Sequence, residues 1–119
     1  MKKKSFTLLL IGVLFLVTTL IANTKPSSTV TGTITYSKST PVIGYTVKVY
    51  DKNLQGLTLL GETKTDKKGT YFISYLPKSD YPKDKPDIVI KVFNKKGVKV
   101  YESEPYFNAL SNLVANIKL

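Results

Sequence analysis

The chain has 119 residues, 18 of them lysine and none arginine, against 8 acidic residues, for a formal net charge of +10. It holds no histidine and no cysteine, which excludes Ser-His-Asp and Cys-His catalysis, a His/Cys zinc site and disulfide stapling. Lysines dispersed along the chain, without the arginine forks that read phosphates and bases, describe a solvated basic surface rather than a nucleic-acid interface.

Taken in order, the chain opens with Lys2, Lys3 and Lys4 and then an uncharged apolar run from Phe6 to Ala22. This is the layout of an export signal, and the run is also near the shortest helix that spans a bilayer. Ala22 is small enough to precede a cut, whereas Leu20 stands where a second small residue is preferred. Residues 1–22 therefore read as a signal peptide or an N-terminal hydrophobic anchor helix, and on either reading the rest is exported to the cell envelope or beyond. No cysteine follows to carry a lipid. Residues 23–28 form a polar linker, and residues 29–119 are long enough for one domain with a modest core.

From Thr29 onward the apolar pattern has period two. Strands are predicted over Thr29–Tyr36, Tyr45–Asp51, Leu57–Thr65 with a bulge at Gly61, Thr70–Tyr75, Asp87–Asn94, Val98–Ser103 and Leu113–Leu119. The Pro-rich stretch after Tyr75 is the longest loop. Between the third and fourth strands stands Asp66-Lys67-Lys68-Gly69. Asp66 at the start of a type I turn and Gly69 with positive φ at its end predict a hairpin. A calcium loop would need further carboxylates where Lys67 and Lys68 stand. Seven short strands with turn signals between them predict an all-β, seven-stranded antiparallel sandwich.

Those residues carry a resemblance. Val30, Gly32 and Ile34; Gly44, Val47, Val49 and Asp51; Thr65, Asp66, Gly69 and Tyr71; and Asp87, Ile88, Ile90 and Val92 fall on the motifs of the carboxypeptidase regulatory-like domain. The chain from about residue 28 resembles that domain, a transthyretin-like (prealbumin-like) β-sandwich related in architecture to immunoglobulin-like ones. The resemblance implies a fold and leaves activity open, because such domains serve as appendages in many secreted proteins. The histidines and arginine of the related hydroxyisourate hydrolases are absent, which removes that activity.

Among the remaining polar groups, Asp80, Asp84 and Asp87 alternate with Lys78, Lys83 and Lys85, and Glu102 and Glu104 follow a strand; all read as solvated charges rather than a catalytic carboxylate pair. A Lys48–Asn116 isopeptide would need both side chains turned inward. Tyr71 and Tyr75 belong by parity to the core. Tyr81, Tyr101 and Tyr106 are read as a binding surface, since tyrosine joins an apolar face to a hydrogen-bonding tip. The expectation is an exported, non-catalytic domain without cofactor or metal that binds a protein partner. The alternative is a carbohydrate- or anionic wall-polymer-binding module using exposed tyrosines and lysines. Membrane contact is expected only through an uncleaved N-terminal segment.

Overall fold

The computed structural model describes residues 27–78 and 80–119; the signal or anchor segment and the linker up to residue 26 lie outside the described residues. Eight strands follow in order: β1 (Ser28–Thr35), β2 (Thr46–Asn53), β3 (Gly56–Lys64), β4 (Thr70–Tyr75), β5 (Ile88–Phe93), β6 (Lys99–Glu102), β7 (Asn112–Val114) and β8 (Ile117–Lys118). They make two four-stranded sheets. In the first, β1 is central, with β4 antiparallel on one side and β7 and then β8 parallel on the other. The second runs β3-β2-β5-β6, antiparallel throughout.

Alternation dictates which side chains meet between the sheets. Val30 and Ile34 of β1, Tyr71 and Ile73 of β4, Val47 and Val49 of β2, and Ile88, Ile90 and Val92 of β5 are all buried in one cluster. Fully burying an aliphatic side chain of this kind contributes roughly 1.5–3 kcal/mol, which makes this shared core the main force holding the sheets face to face. The bulge falls beside Gly61: Val49 pairs with Gly61 but Tyr50 with Leu59, leaving Leu60 extra. There β3 meets the other sheet, since a Cβ on Gly61 would lie 2.8 Å from Ile73 Cγ2.

Three expectations are corrected. The segment Leu113–Leu119, predicted as one strand, breaks into β7 and β8, so there are eight strands rather than seven. The break has a local cause. The Ala115 carbonyl leans over Gly32, so closely that a Cβ there would sit 2.0 Å from the oxygen, and accepts the Tyr71 hydroxyl at 2.6 Å. The Asn116 side chain then supplies the acceptor that the ladder has lost, taking the Thr33 N–H at 3.0 Å.

Second, the pairing is mixed rather than antiparallel. After β6 the chain returns to the end where β1 begins, so β7 and β8 must run alongside β1 in its own direction.

Third, Asp66–Gly69 is a turn but not a hairpin, because β3 and β4 lie in different sheets. Its inner geometry is as predicted: Asp66 Oδ1 accepts the N–H groups of Lys68 and Thr70, both at 2.9 Å, and Gly69 has φ +74°. Asn94-Lys95-Lys96-Gly97 repeats that geometry, with Asn94 Oδ1 accepting from Lys96 and Val98 and Gly97 at φ +81°, yet it joins β5 to β6 within one sheet. The same local chemistry serves both connections. The strands beyond the turn decide between them.

Candidate functional surfaces

The three tyrosines singled out in the sequence are all half-buried. Tyr101, on β6, packs against the core, as does Tyr106, whose backbone exchanges two hydrogen bonds with Ile88 (3.0 and 2.8 Å). Both stand near Tyr71. Burial first, then the neighbouring Tyr106 and Tyr101, push the Tyr71 phenol far above its ordinary value. Burial and Tyr106 likewise raise Tyr101. Tyr81 lies on the long loop beside Tyr75, whose phenol is raised chiefly by burial, against a lowering hydrogen bond from Ser28.

Of the loop acids, Asp80 and Asp84 are exposed, as the sequence implied, and Asp87 is half-buried. Asp51, at the end of β2, is buried, with its side chain 6% exposed. Its Oδ1 accepts the Asp87 N–H at 3.2 Å and its Oδ2 meets Lys78 Nζ at 3.1 Å. Lys78 also reaches Asp84 at 3.3 Å, and its hydrogen bond to Asp51 holds the ammonium above its usual range. Asp87 Oδ1 accepts the Asn108 N–H at 2.9 Å. Asp51 and Asp87 therefore tether the long loop and the segment before β7 to the sandwich, with Asp84 supporting Lys78 from within the loop. Among the described residues no three His, Cys, Asp or Glu side chains gather to hold a metal ion. Lys48 and Asn116 lie in different sheets and are engaged elsewhere, so the geometry for an isopeptide is not met.

The two outer faces differ sharply in charge. On the second sheet the register aligns Glu62, Lys48, Lys91 and Glu102 in one row across four strands. Lys48 and Lys91 are direct cross-strand neighbours, an arrangement that costs stability when like charges face each other. Aromatic faces offset it: Lys48 Nζ lies 5.0 Å from the Phe93 ring centre and Lys91 Nζ 5.1 Å from that of Tyr50. Glu102 closes the row, 3.7 Å from Lys91 and 2.7 Å from Lys99; Lys99, then Lys91, holds its carboxyl below the usual range.

On the first sheet the corresponding row is Phe72, Thr31 and Val114. The flanking rows are Ser74, Thr29 and Asn112, then Thr70 and Thr33, the latter bonded to Asn116. No ionisable side chain interrupts these rows before Lys118, which pairs with Thr35 at the far end. Phe72 is 60% exposed and Val114 65%. Parity alone pointed to Phe72 as outward-facing, but that its neighbours are uncharged depends on which strands flank β1.

Comparison with known proteins adds a likeness of fold. Among solved structures, a 9R-lipoxygenase from Cyanothece PCC8801 matches with TM-score 0.55 and 24% identity over 81% of this chain. The chain spans only 17% of that lipoxygenase. The dioxygenase domain of a dioxygenase carbohydrate-binding protein fusion from Streptomyces sp. SirexAA-E matches with TM-score 0.50 and 14% identity, over 82% of each chain. No family model and no curated protein matches. The architecture is shared with parts of enzymes; at such identities only the fold is held in common.

Proposed function

We propose that this chain is an exported, non-catalytic β-sandwich domain of transthyretin-like type, and that the uncharged face of its first sheet docks a protein partner. The observation that carries the reading is the Phe72–Thr31–Val114 row, an uncharged three-strand surface on a chain of net charge +10. Interface cores are depleted in charge and enriched in aromatic side chains, and an exposed phenylalanine on the edge strand β4, in line with Thr31 and Val114, is a natural anchor for one. Export is supported by the three lysines and the apolar run at the N-terminus. The transthyretin-like assignment is supported by the motif residues, whose aliphatics fill the core and whose Asp66 and Gly69 close a turn. The absence of catalysis is supported by the residue inventory and by the tethering role of Asp51 and Asp87.

The test places a photo-cross-linking residue at position 72, and separately at position 48 on the charged face, in the cells that make the chain. A discrete protein adduct from position 72, missing from position 48, is the expected result. Equal labelling from both positions, or none from 72, sinks the reading. A second reading has its own support. The hydroxyls and amide of Thr29, Thr31, Ser74 and Asn112 are suited to exchanging hydrogen bonds with a neutral polysaccharide lying along the face. Retention on such a polymer that disappears with Phe72→Ala would favour it.

A further inference from the structure

The lysines that look dispersed in the sequence are gathered by the fold. The first sheet's β1 ends, and β4 begins, at the same pole of the sandwich where β2 begins, β3 and β5 end, and β8 closes the chain. The connections at that pole touch one another. The Gly44 N–H bonds to the Thr65 carbonyl at 3.0 Å, the Ile34 N–H to the Gly69 carbonyl at 2.8 Å, and the Lys95 side chain crosses Gly44. Onto this pole project Lys38 from the turn after β1, Lys64 from the end of β3, and Lys118 from β8. The turns Asp66–Gly69 and Asn94–Gly97 add Lys67 with Lys68 and Lys95 with Lys96.

All seven are exposed, and among the described residues none lies within ion-pair distance of a carboxylate. Of the neighbouring acids, Asp66 spends one carboxylate oxygen on two backbone N–H groups, and Glu62, two residues before Lys64, stands opposite Lys48. The opposite pole carries Lys52, Lys78, Lys83 and Lys85 against a larger number of acids, Asp51, Asp80, Asp84, Asp87 and Glu104 among them. Among the described residues the net positive charge is therefore concentrated at one end.

That end is also concave. Lys64 and Lys95 stand on either side of an open trough of about 470 Å³, with Gly44, Thr46, Asn94 and Gly97 completing its lining. Gly44, at φ +75°, leaves room for the stem of Lys95: a Cβ there would lie 3.0 Å from Lys95 Cε.

We propose that this pole binds a linear polyanion, a flexible chain with a phosphate or carboxylate on each repeat, laid along the trough between Lys64 and Lys95 and held further by the lysine pairs of the two turns. Unpaired ammonium groups on short turns are point charges that accept such groups without demanding a planar fork. A trough admits a chain, whereas a bilayer surface cannot enter it. The site is separate from the Phe72 face.

The test immobilises the full chain through its N-terminal residues and titrates inorganic polyphosphate at several salt concentrations. Saturable binding is expected, with log K falling linearly as log salt rises. The variant Lys64→Gln/Lys67→Gln/Lys68→Gln/Lys95→Gln, which removes only exposed charge, should lose at least about tenfold in affinity at low salt. Its salt slope should shrink by about three, from roughly 0.7 released counterions for each of the lost contacts to a flexible strand. The opposite-pole variant Lys52→Gln/Lys83→Gln/Lys85→Gln should bind as the unaltered chain does. Equal weakening in both variants overturns the proposal, as does the absence of any saturable binding. Binding to phosphatidylglycerol vesicles but not to polyphosphate assigns the pole to membranes and overturns it too. Preference for duplex DNA over polyphosphate at equal phosphate concentration does the same for nucleic acid.

Discussion

Tyr71 and Ala115 close the sandwich where its last strand breaks: the phenol donates to the Ala115 carbonyl at 2.6 Å, directly over the bare Cα of Gly32. The carbonyl is drawn inward to meet the hydroxyl, and Asn116 takes over the ladder position that this leaves open. Removing the hydroxyl orphans a buried acceptor. Tyr71→Phe should cost about 1–3 kcal/mol, read as a lower urea midpoint at unchanged slope.

The same phenol predicts a pH dependence. Its folded-state pKa is raised, so the neutral form is favoured in the fold. Its stabilising contribution is complete below the unfolded value of about 10 and is lost as pH climbs from there toward the folded value. Stability should fall above about pH 10, and fall less steeply in Tyr71→Phe, when unfolding is followed in buffers across that range. A decline of equal steepness in the variant would contradict the assignment to Tyr71.

Gly69 and Gly97 offer a matched comparison. They close turns of like geometry at φ +74° and +81°, but a Cβ on Gly69 would lie 2.5 Å from the Ile34 carbonyl oxygen, while Gly97 has nothing within 4 Å. Gly97→Ala should cost only the left-handed strain, about 1–2 kcal/mol. Gly69→Ala bears that strain plus a backbone collision and should cost clearly more, several kcal/mol in total. Thermal or urea unfolding of both variants orders them.

Asp51 fastens the long loop through the Asp87 N–H and Lys78. Asp51→Ala leaves the half-buried Asp87 N–H without its acceptor and removes the partner of Lys78, and should lower stability by about 1–3 kcal/mol. It should also speed proteolytic cleavage within residues 76–87 relative to cleavage elsewhere. Unchanged cleavage there would show that the loop is held by other contacts.

Phe72 is exposed and makes no core contact, so Phe72→Lys should change stability by less than about 0.5 kcal/mol. The same substitution should abolish cross-linking from position 31, its partner across the β1–β4 ladder. A large loss of stability would instead place Phe72 among the structural residues.

The strands were legible because their signal is local. Alternation at Val30, Ile34, Val47, Val49, Tyr71 and Ile73 reports burial on one face whichever strands eventually lie alongside. The bulge beside Gly61 and both lysine-bearing turns were readable for the same reason, since a few consecutive residues determine them. Tyr101 and Tyr106 were harder. Their half-burial against the core depends on where the chain travels after β6, a matter of contacts distant in sequence.

What the amino-acid order determined by itself was therefore period and punctuation: all-β, which faces are apolar, and where the chain turns. Only the tertiary structure decided that Asp66–Gly69 passes between sheets while Asn94–Gly97 stays within one, and that β7 and β8 run parallel to β1. It also decided that lysines from five separate segments share one pole while the outer face of the first sheet carries no charge short of Lys118. The physical reason is that hydrogen-bond partners and charge neighbours are set by which strand ends meet in space, and a residue's local pattern carries no record of the strand that will lie beside it.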